Sequence, residues 1–457
     1  MNPTRRGILK GLGAALAFPH LWIPKTAFAQ TSGRGTVKHL LFIRLSGGFR
    51  FTAAFNGGVD GQFNPFGAGA KAQGTEWAPS SLLERSAWLD GDAGQALRTL
   101  GMKKVSEISN EICLLPCVDH EPFSNRADGN HGTGLERYLT GYVGGSTSFF
   151  TFINYGLRSR TQQATVQGKT LLPAFSLGEA GMATGAGVHA AYRAPVVDSD
   201  GFEGFGFNAE ASLPAWANAI AKNRDEQLRL RLHPELRASV EAYQQSRKDT
   251  AAYGEIFRSE ILRVSERSQE KVDGISNTEL QTMFGTGGIG SRVALALRLF
   301  HFGCPAVFFN EGGYDMHSGE QNGLPGSIEN MNRLISGLHA ALKRMQHPDG
   351  GTYWDHTLVV FGSEFGRTTD GQRFNSAGGS DHSSDLATRW MSMPFMGGIV
   401  ERAGKNGRTL GSTRASDLKA EGKIYSYRAV LKTCLDWLGA EHADIYPADN
   451  PIEDFFA

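Results

Sequence analysis

The sequence predicts an α/β fold in which a mainly parallel central sheet is flanked by helices. Three observations predict it. Short, nearly continuous apolar runs recur at Leu40–Leu45, Ile112–Val118, Leu172–Leu177, Ala306–Asn310 and Thr357–Phe361, the pattern of strands buried on both faces. Helical patterns alternate with them. The clearest spans Ser327–Gln346, where Ile328, Met331, Leu334, Ile335, Leu338, Leu342 and Met345 share one face. Strands that alternate with helices form parallel sheets through crossover connections. Composition agrees: 40% of the 457 residues are hydrophobic and 20% charged, which is globular rather than disordered. Glycine is in excess, at 58 residues and without a Gly-X-Y period. That excess points to tight turns and close backbone approaches around a loop-built site.

The elements follow in chain order. Residues 1–29 read as a leader rather than as structure. They carry Arg5-Arg6, a moderately apolar run and Ala27-Phe28-Ala29 before Gln30, the layout of a twin-arginine signal peptide. The expected destination is therefore the periplasm or the exterior, by way of the twin-arginine export machinery. The 46 basic and 46 acidic residues cancel over the full chain. Arg5, Arg6, Lys10 and Lys25 lie in the leader, which has no acid, so the remainder carries 42 against 46, a net of −4. Such a balance gives no electrostatic case for binding nucleic acid. No later stretch approaches the roughly 20 apolar residues of a membrane span. The rest, 30–457, reads as one domain with a charged, alanine-rich helical insertion at about 210–284. Cys113, Cys117, Cys304 and Cys434 read as buried free thiols. Cys113 and Cys117 sit on one extended strand, roughly 13 Å apart at about 3.3 Å per residue, beyond disulfide reach.

Ligands of such folds bind at the carboxyl ends of the strands, and the late strands run into Asp, His and Glu set among glycines. Ala306–Asn310 leads to Glu311-Gly312-Gly313-Tyr314-Asp315-Met316-His317. Thr357–Phe361 leads to Gly362-Ser363-Glu364-Phe365-Gly366-Arg367-Thr368, and a third loop carries Gly378-Gly379-Ser380-Asp381-His382. Imidazole plus carboxylate is ligand chemistry for zinc, manganese or iron. In an extended loop Asp315 and His317 point to one side and can serve one ion.

Tyr-Asp-Met-His-Ser, Ser-Glu-Phe-Gly-Arg-Thr and Gly-Gly-Ser-Asp-His, in that order, resemble the signature of the exported bacterial family catalogued as domain of unknown function 1501. That family is grouped with the alkaline phosphatase and sulfatase superfamily. The resemblance implies a divalent metal cluster, zinc or manganese, with Asp315, His317, Glu364, Asp381 and His382 as candidate ligands. It further implies a hydrolase-like protein for small anionic phosphate or sulfate esters. The segment Asn130–Gly141 is similar to the superfamily's nucleophile loop and helix. Counting back from Thr140-Gly141 puts the nucleophile position on His131, with Thr133 two residues on. His131 is alternatively a metal ligand or itself a phosphoryl acceptor. After the first strand, superfamily enzymes carry a metal-binding Asp. This chain has Gly47-Gly48-Phe49-Arg50, so Arg50, with Arg367, is a candidate to steady an anion.

Two other readings compete. One is a member that keeps the fold and binds a ligand, glycan or partner without catalysis. The other is a nicotinamide-dependent oxidoreductase, because Gly285-Thr286-Gly287-Gly288-Ile289-Gly290 fits Gly-x-Gly-x-x-Gly. The residues before it, Thr278–Phe284, read as helix where that fingerprint requires a strand.

Overall fold

The computed structural model describes residues 35–55, 77, 79–120, 130–166, 171–197, 215–231, 256–257, 259–367, 390–414, 416, 420–421 and 423–455. The leader lies outside the described residues, as do Asp381 and His382. An eight-stranded sheet organises the chain. In chain order its strands are β1 (His39–Leu45), β2 (Ile112–Asp119), β3 (Phe175–Leu177), β4 (Val196–Val197), β5 (Ala306–Glu311), β6 (Thr357–Gly362), β7 (Trp390–Met396) and β8 (Tyr425–Ser426). The spatial order is β8-β2-β7-β6-β1-β5-β3-β4. All neighbours pair in parallel except those of β7, which is antiparallel to both β2 and β6. The five predicted strands are β1, β2, β3, β5 and β6.

β1 is central, and every one of its residues is buried. Its alternating side chains face two helical layers. Phe42 packs against Tyr138 of helix α1 (His131–Thr140) and Phe149 of α2 (Phe149–Gly156). On the opposite face His39 stacks on Phe300, which belongs to a later helix. The other helices used below are α3 (Ala215–Arg231), α4 (Asn277–Phe284), α5 (Ile289–His301, carrying Phe300), α6 (Glu320–Arg344) and α7 (Tyr427–Leu438). Among the described residues no helix is long and apolar enough to cross a membrane.

Several elements differ from the sequence reading. β7 gave no sequence signal, because Trp-Met-Ser-Met-Pro-Phe-Met lacks β-branched residues and carries Pro394. Its pairing with β6 is confined to Met396 and Phe395, one side of that proline. Helix α6 begins at Glu320 rather than at Ser327, entered through Gly319 at φ +66°, and accommodates Pro325. Ser327 caps nothing; its hydroxyl donates to the Gly313 carbonyl. Of the stretch 210–284, the described parts hold α3, a hairpin of Lys271–Val272 with Ile275–Ser276, and α4. Ile275, Leu280 and Met283 join the core. α4 ends at Gly285 (φ +85°) and α5 starts at Ile289, so the glycine fingerprint joins two helices. The strand that a dinucleotide site needs is not there. All four cysteines are free and buried, and burial pushes the Cys113 and Cys117 thiols up to about 12.

The amino-terminal edge of the sheet is held by a histidine pair. His39 Nδ1 lies 2.7 Å from the Cys304 carbonyl, which accepts only, so that nitrogen carries the proton. His347 Nδ1 accepts from the Asp349 amide at 3.1 Å, so its Nε2 carries the proton and donates to His39 Nε2 at 3.2 Å. Both rings are thereby fixed neutral. Burial drives His39 down to about 3 and His347 down to about 4. Unfolded histidine titrates near 6.5, so below that pH the unfolded chain binds more protons than the native one. Their stabilising contribution is complete above about pH 6.5 and is lost as pH falls from there towards 4. Thermal unfolding followed by circular dichroism is expected to show a melting temperature that drops over this interval. A His347→Asn variant is expected to show a shallower drop.

Candidate metal centre

The carboxyl ends of β1, β5 and β6 converge on one residue, Gly47. Its amide donates to Glu364 Oε1 at 2.7 Å, and its carbonyl accepts from Arg367 Nη1 at 2.6 Å. A Cβ at Gly47 would lie 2.5 Å from the Asp315 Cβ, and one at Gly48 would lie 2.1 Å from the Phe365 ring. Both residues also have positive φ, +106° and +79°, which side chains strongly disfavour. The glycine pair ending β1 is therefore what lets the Asp315 and Glu364 loops close on each other.

Three donors meet beside this junction. One ligand atom each from His131, Asp315 and His317 lies within 4.8 Å of the others. His317 Nε2 is 3.0 Å from Asp315 Oδ1, and His131 Nε2 is 3.5 Å from Asp315 Oδ2. Asp315 and His317 do face the same side of their loop. Two imidazoles and a carboxylate, about half exposed to solvent, are the donor set expected for zinc, with manganese and iron also compatible. The chemistry of these residues fits the group that the sequence called for.

Glu364 stands behind this set. Its Oε1 is 3.5 Å from His131 Nδ1, the ring nitrogen facing away from Asp315. Metal-binding histidines use their second nitrogen in this way, on a carboxylate that fixes the tautomer. Burial raises the Glu364 carboxyl, but His131 and Arg44 beside it hold it below its ordinary value. In return Glu364, with Asp315, holds the His131 imidazole above its ordinary value. Asp315 is lifted by burial yet kept low by the Arg367 guanidinium, 2.8 Å away.

A family model described as "Protein of unknown function (DUF1501)" matches residues 91–451. The chain belongs to the DUF1501 family. A comparison with the curated proteins finds no match.

The remaining residues expected to matter in this DUF1501 chain are distributed as follows. His131 opens α1, and Asn130 caps that helix by accepting from the Gly132 and Thr133 amides at 2.9 and 3.2 Å. Those two amides are thus engaged within the helix, while its dipole still favours negative charge at His131. Thr133 lies on the same first turn. Arg367 is buried, held between the Gly47 carbonyl and Asp315. Arg50 is not at the surface of the site: it is 1% exposed and pairs with Glu320 Oε2 of α6 at 2.6 Å. Arg137, further along α1, is buried against His120. Glu311, at the end of β5, is buried and pushed up to about 8, so at neutral pH it is mostly protonated and adds little charge. Sequence reasoning missed Arg44, the next-to-last residue of the apolar strand β1, which projects towards Glu364.

A metal ion competes with the proton for His131. Because that imidazole is held above its ordinary value, apparent affinity for zinc or manganese is expected to fall as pH drops through a midpoint above about 6.5. Isothermal titration across pH 5.5–8.5 measures it, and a Glu364→Gln variant is expected to move the midpoint down.

Proposed function

We propose that this DUF1501 protein is an exported, metal-dependent, hydrolase-like protein that acts on small phosphate or sulfate esters, built on an alkaline phosphatase/sulfatase type of fold. The observation that carries the reading is the convergence of His131, Asp315 and His317 at the carboxyl edge of a parallel sheet, with Glu364 behind His131. The leader-like residues 1–29, with Arg5-Arg6 and Ala27-Phe28-Ala29, support export by the twin-arginine pathway to the periplasm or beyond.

His131, Asp315 and His317 would hold one divalent ion, zinc or manganese, and Asp381 and His382 are the sequence's further candidates. An ion held there would supply Lewis-acid polarisation of an ester oxygen and activation of water. The chain's own residues do the rest. Glu364 keeps the His131 proton on Nδ1 and the Nε2 lone pair towards Asp315. Arg367 fixes the Asp315 carboxylate through Oδ1. The dipole of α1, with His131 and Thr133 on its first turn, favours the anionic end of an ester. Arg50 takes no part in anion binding in this account, since Glu320 occupies its guanidinium.

A second reading has one specific observation in its favour. Where superfamily hydrolases carry a metal-binding Asp after the first strand, this chain has an arginine sealed into the interior by Glu320. On that reading the site binds a ligand or partner without turnover. The test is the full chain, purified after export, assayed on aryl phosphate and aryl sulfate esters with zinc or manganese. Hydrolysis is expected, lost in Asp315→Asn and on chelation. Bound metal with no turnover on any ester would favour the second reading instead.

A further inference from the structure

We propose that Arg44 is a positioning residue of this centre: its buried guanidinium fixes the Glu364 carboxylate, and through Glu364 the His131 ring, in the orientation that turns Nδ1 to Glu364 and Nε2 towards Asp315. The inference rests on the metal reading given above and adds a residue to it.

Arg44 belongs to β1, where it alternates with Phe42 and so faces the α1 layer. It is 6% exposed. A guanidinium in that setting is costly unless charges around it compensate. Two carboxylates do so. Arg44 Nε is 3.9 Å from Glu364 Oε2, and Nη2 is 3.6 Å from Glu179 Oε2. Among the described residues its guanidinium makes one hydrogen bond, from Nη2 to Ser46 Oγ at 3.1 Å, and none from Nε or Nη1. Glu179 is tied elsewhere as well, accepting from the Gly181 amide at 3.0 Å and from Asn310 Nδ2 at 3.3 Å. Glu364 is 4% exposed, and Arg44 and His131 are the cationic groups facing it in ion-pair range.

The two Glu364 oxygens thus have different duties. Oε1 faces His131 Nδ1 and receives the Gly47 amide; Oε2 faces Arg44. Without the guanidinium, the buried Oε2 keeps the Ser363 hydroxyl, 3.2 Å away, and loses the positive charge that faces it. The carboxylate is then free to rotate, which loosens its hold on the Gly47 amide and the His131 ring. Arg44 does not serve as an anion receptor, because a substrate anion reaching it would meet Glu179 and Glu364 on either side.

The test uses the full-length protein with Arg44→Met, Arg44→Lys and Glu179→Gln variants, and two readouts. The first is hydrogen exchange of the peptide containing the Gly47 amide, measured by mass spectrometry on metal-free protein. The second is zinc and manganese affinity by titration. Arg44→Met is expected to speed exchange at Gly47 and to weaken metal binding roughly 10–100-fold, the range for partners that orient a ligand. Arg44→Lys, which keeps the charge without the fork, is expected to fall between, and decides the matter if the methionine variant does not fold. Glu179→Gln, which removes the second carboxylate but leaves the guanidinium beside Glu364, is expected to change both readouts less than Arg44→Met does. Unchanged Gly47 exchange in folded Arg44 variants would overturn the proposal. If the wild type binds no metal, the metal reading fails by itself, and Gly47 exchange still decides the role of Arg44.

Discussion

The arrangement depends on the peptide group of Gly47. Three strand ends are tied at that point: β1 supplies the glycine, β6 supplies Glu364 and Arg367, and the β5 loop supplies Asp315. The amide binds a carboxylate and the carbonyl binds a guanidinium. The absent side chain leaves the room that the Asp315 backbone occupies. A Cβ here meets Asp315 at a distance no pair of carbons tolerates, and the positive φ adds strain of its own. The rest of the site hangs from this contact. Arg367 reaches Asp315 from the Gly47 carbonyl, Glu364 reaches His131 from the Gly47 amide, and Phe365 packs its ring 5.0 Å from the His131 ring.

Charge is arranged around the same point in layers. Outermost and half exposed are His131, Asp315 and His317. Beneath them Arg367 and Glu364 each engage one of the outer groups and one end of the Gly47 peptide. Alongside them lie Arg44, with the partly exposed Glu179, and the sealed pair of Arg50 with Glu320. A buried pair of that kind contributes less to net stability than its short distance suggests, yet deleting one partner costs about 3–5 kcal/mol. This layering explains why the outer donors can carry opposite charges side by side without other residues collapsing onto them. His131 is already committed on its inner side to Glu364, and Asp315 to Arg367.

Much of this was legible in the sequence, for reasons that differ by residue. The buried parallel strands announce themselves through apolar runs, and the glycines after them mark the edge where chemistry gathers. Asp315 and His317 were readable because an extended loop puts alternate residues on one side. The hidden features share a cause: pairings between residues distant in sequence. Glu364 reads as one more ligand, and only the fold shows it turned to the far nitrogen of His131. Arg50 reads as an exposed anion holder, but Glu320, 270 residues later, claims it. Arg44 is camouflaged by the apolar strand around it. β7 is hidden by methionines and a proline, and its burial between β2 and β6 overrides weak local propensity. The early start of α6 is hidden by Pro325, which in isolation reads as a helix boundary.

The arrangement turns on His131, Asp315 and His317 sharing one cation. X-ray absorption at the metal edge of zinc-loaded full-length protein addresses this directly. Two imidazole nitrogens near 2.0–2.1 Å plus oxygen ligands are expected around the zinc, reduced to one imidazole in His317→Ala. A zinc shell without imidazole scattering, or one unaltered by that substitution, would contradict it.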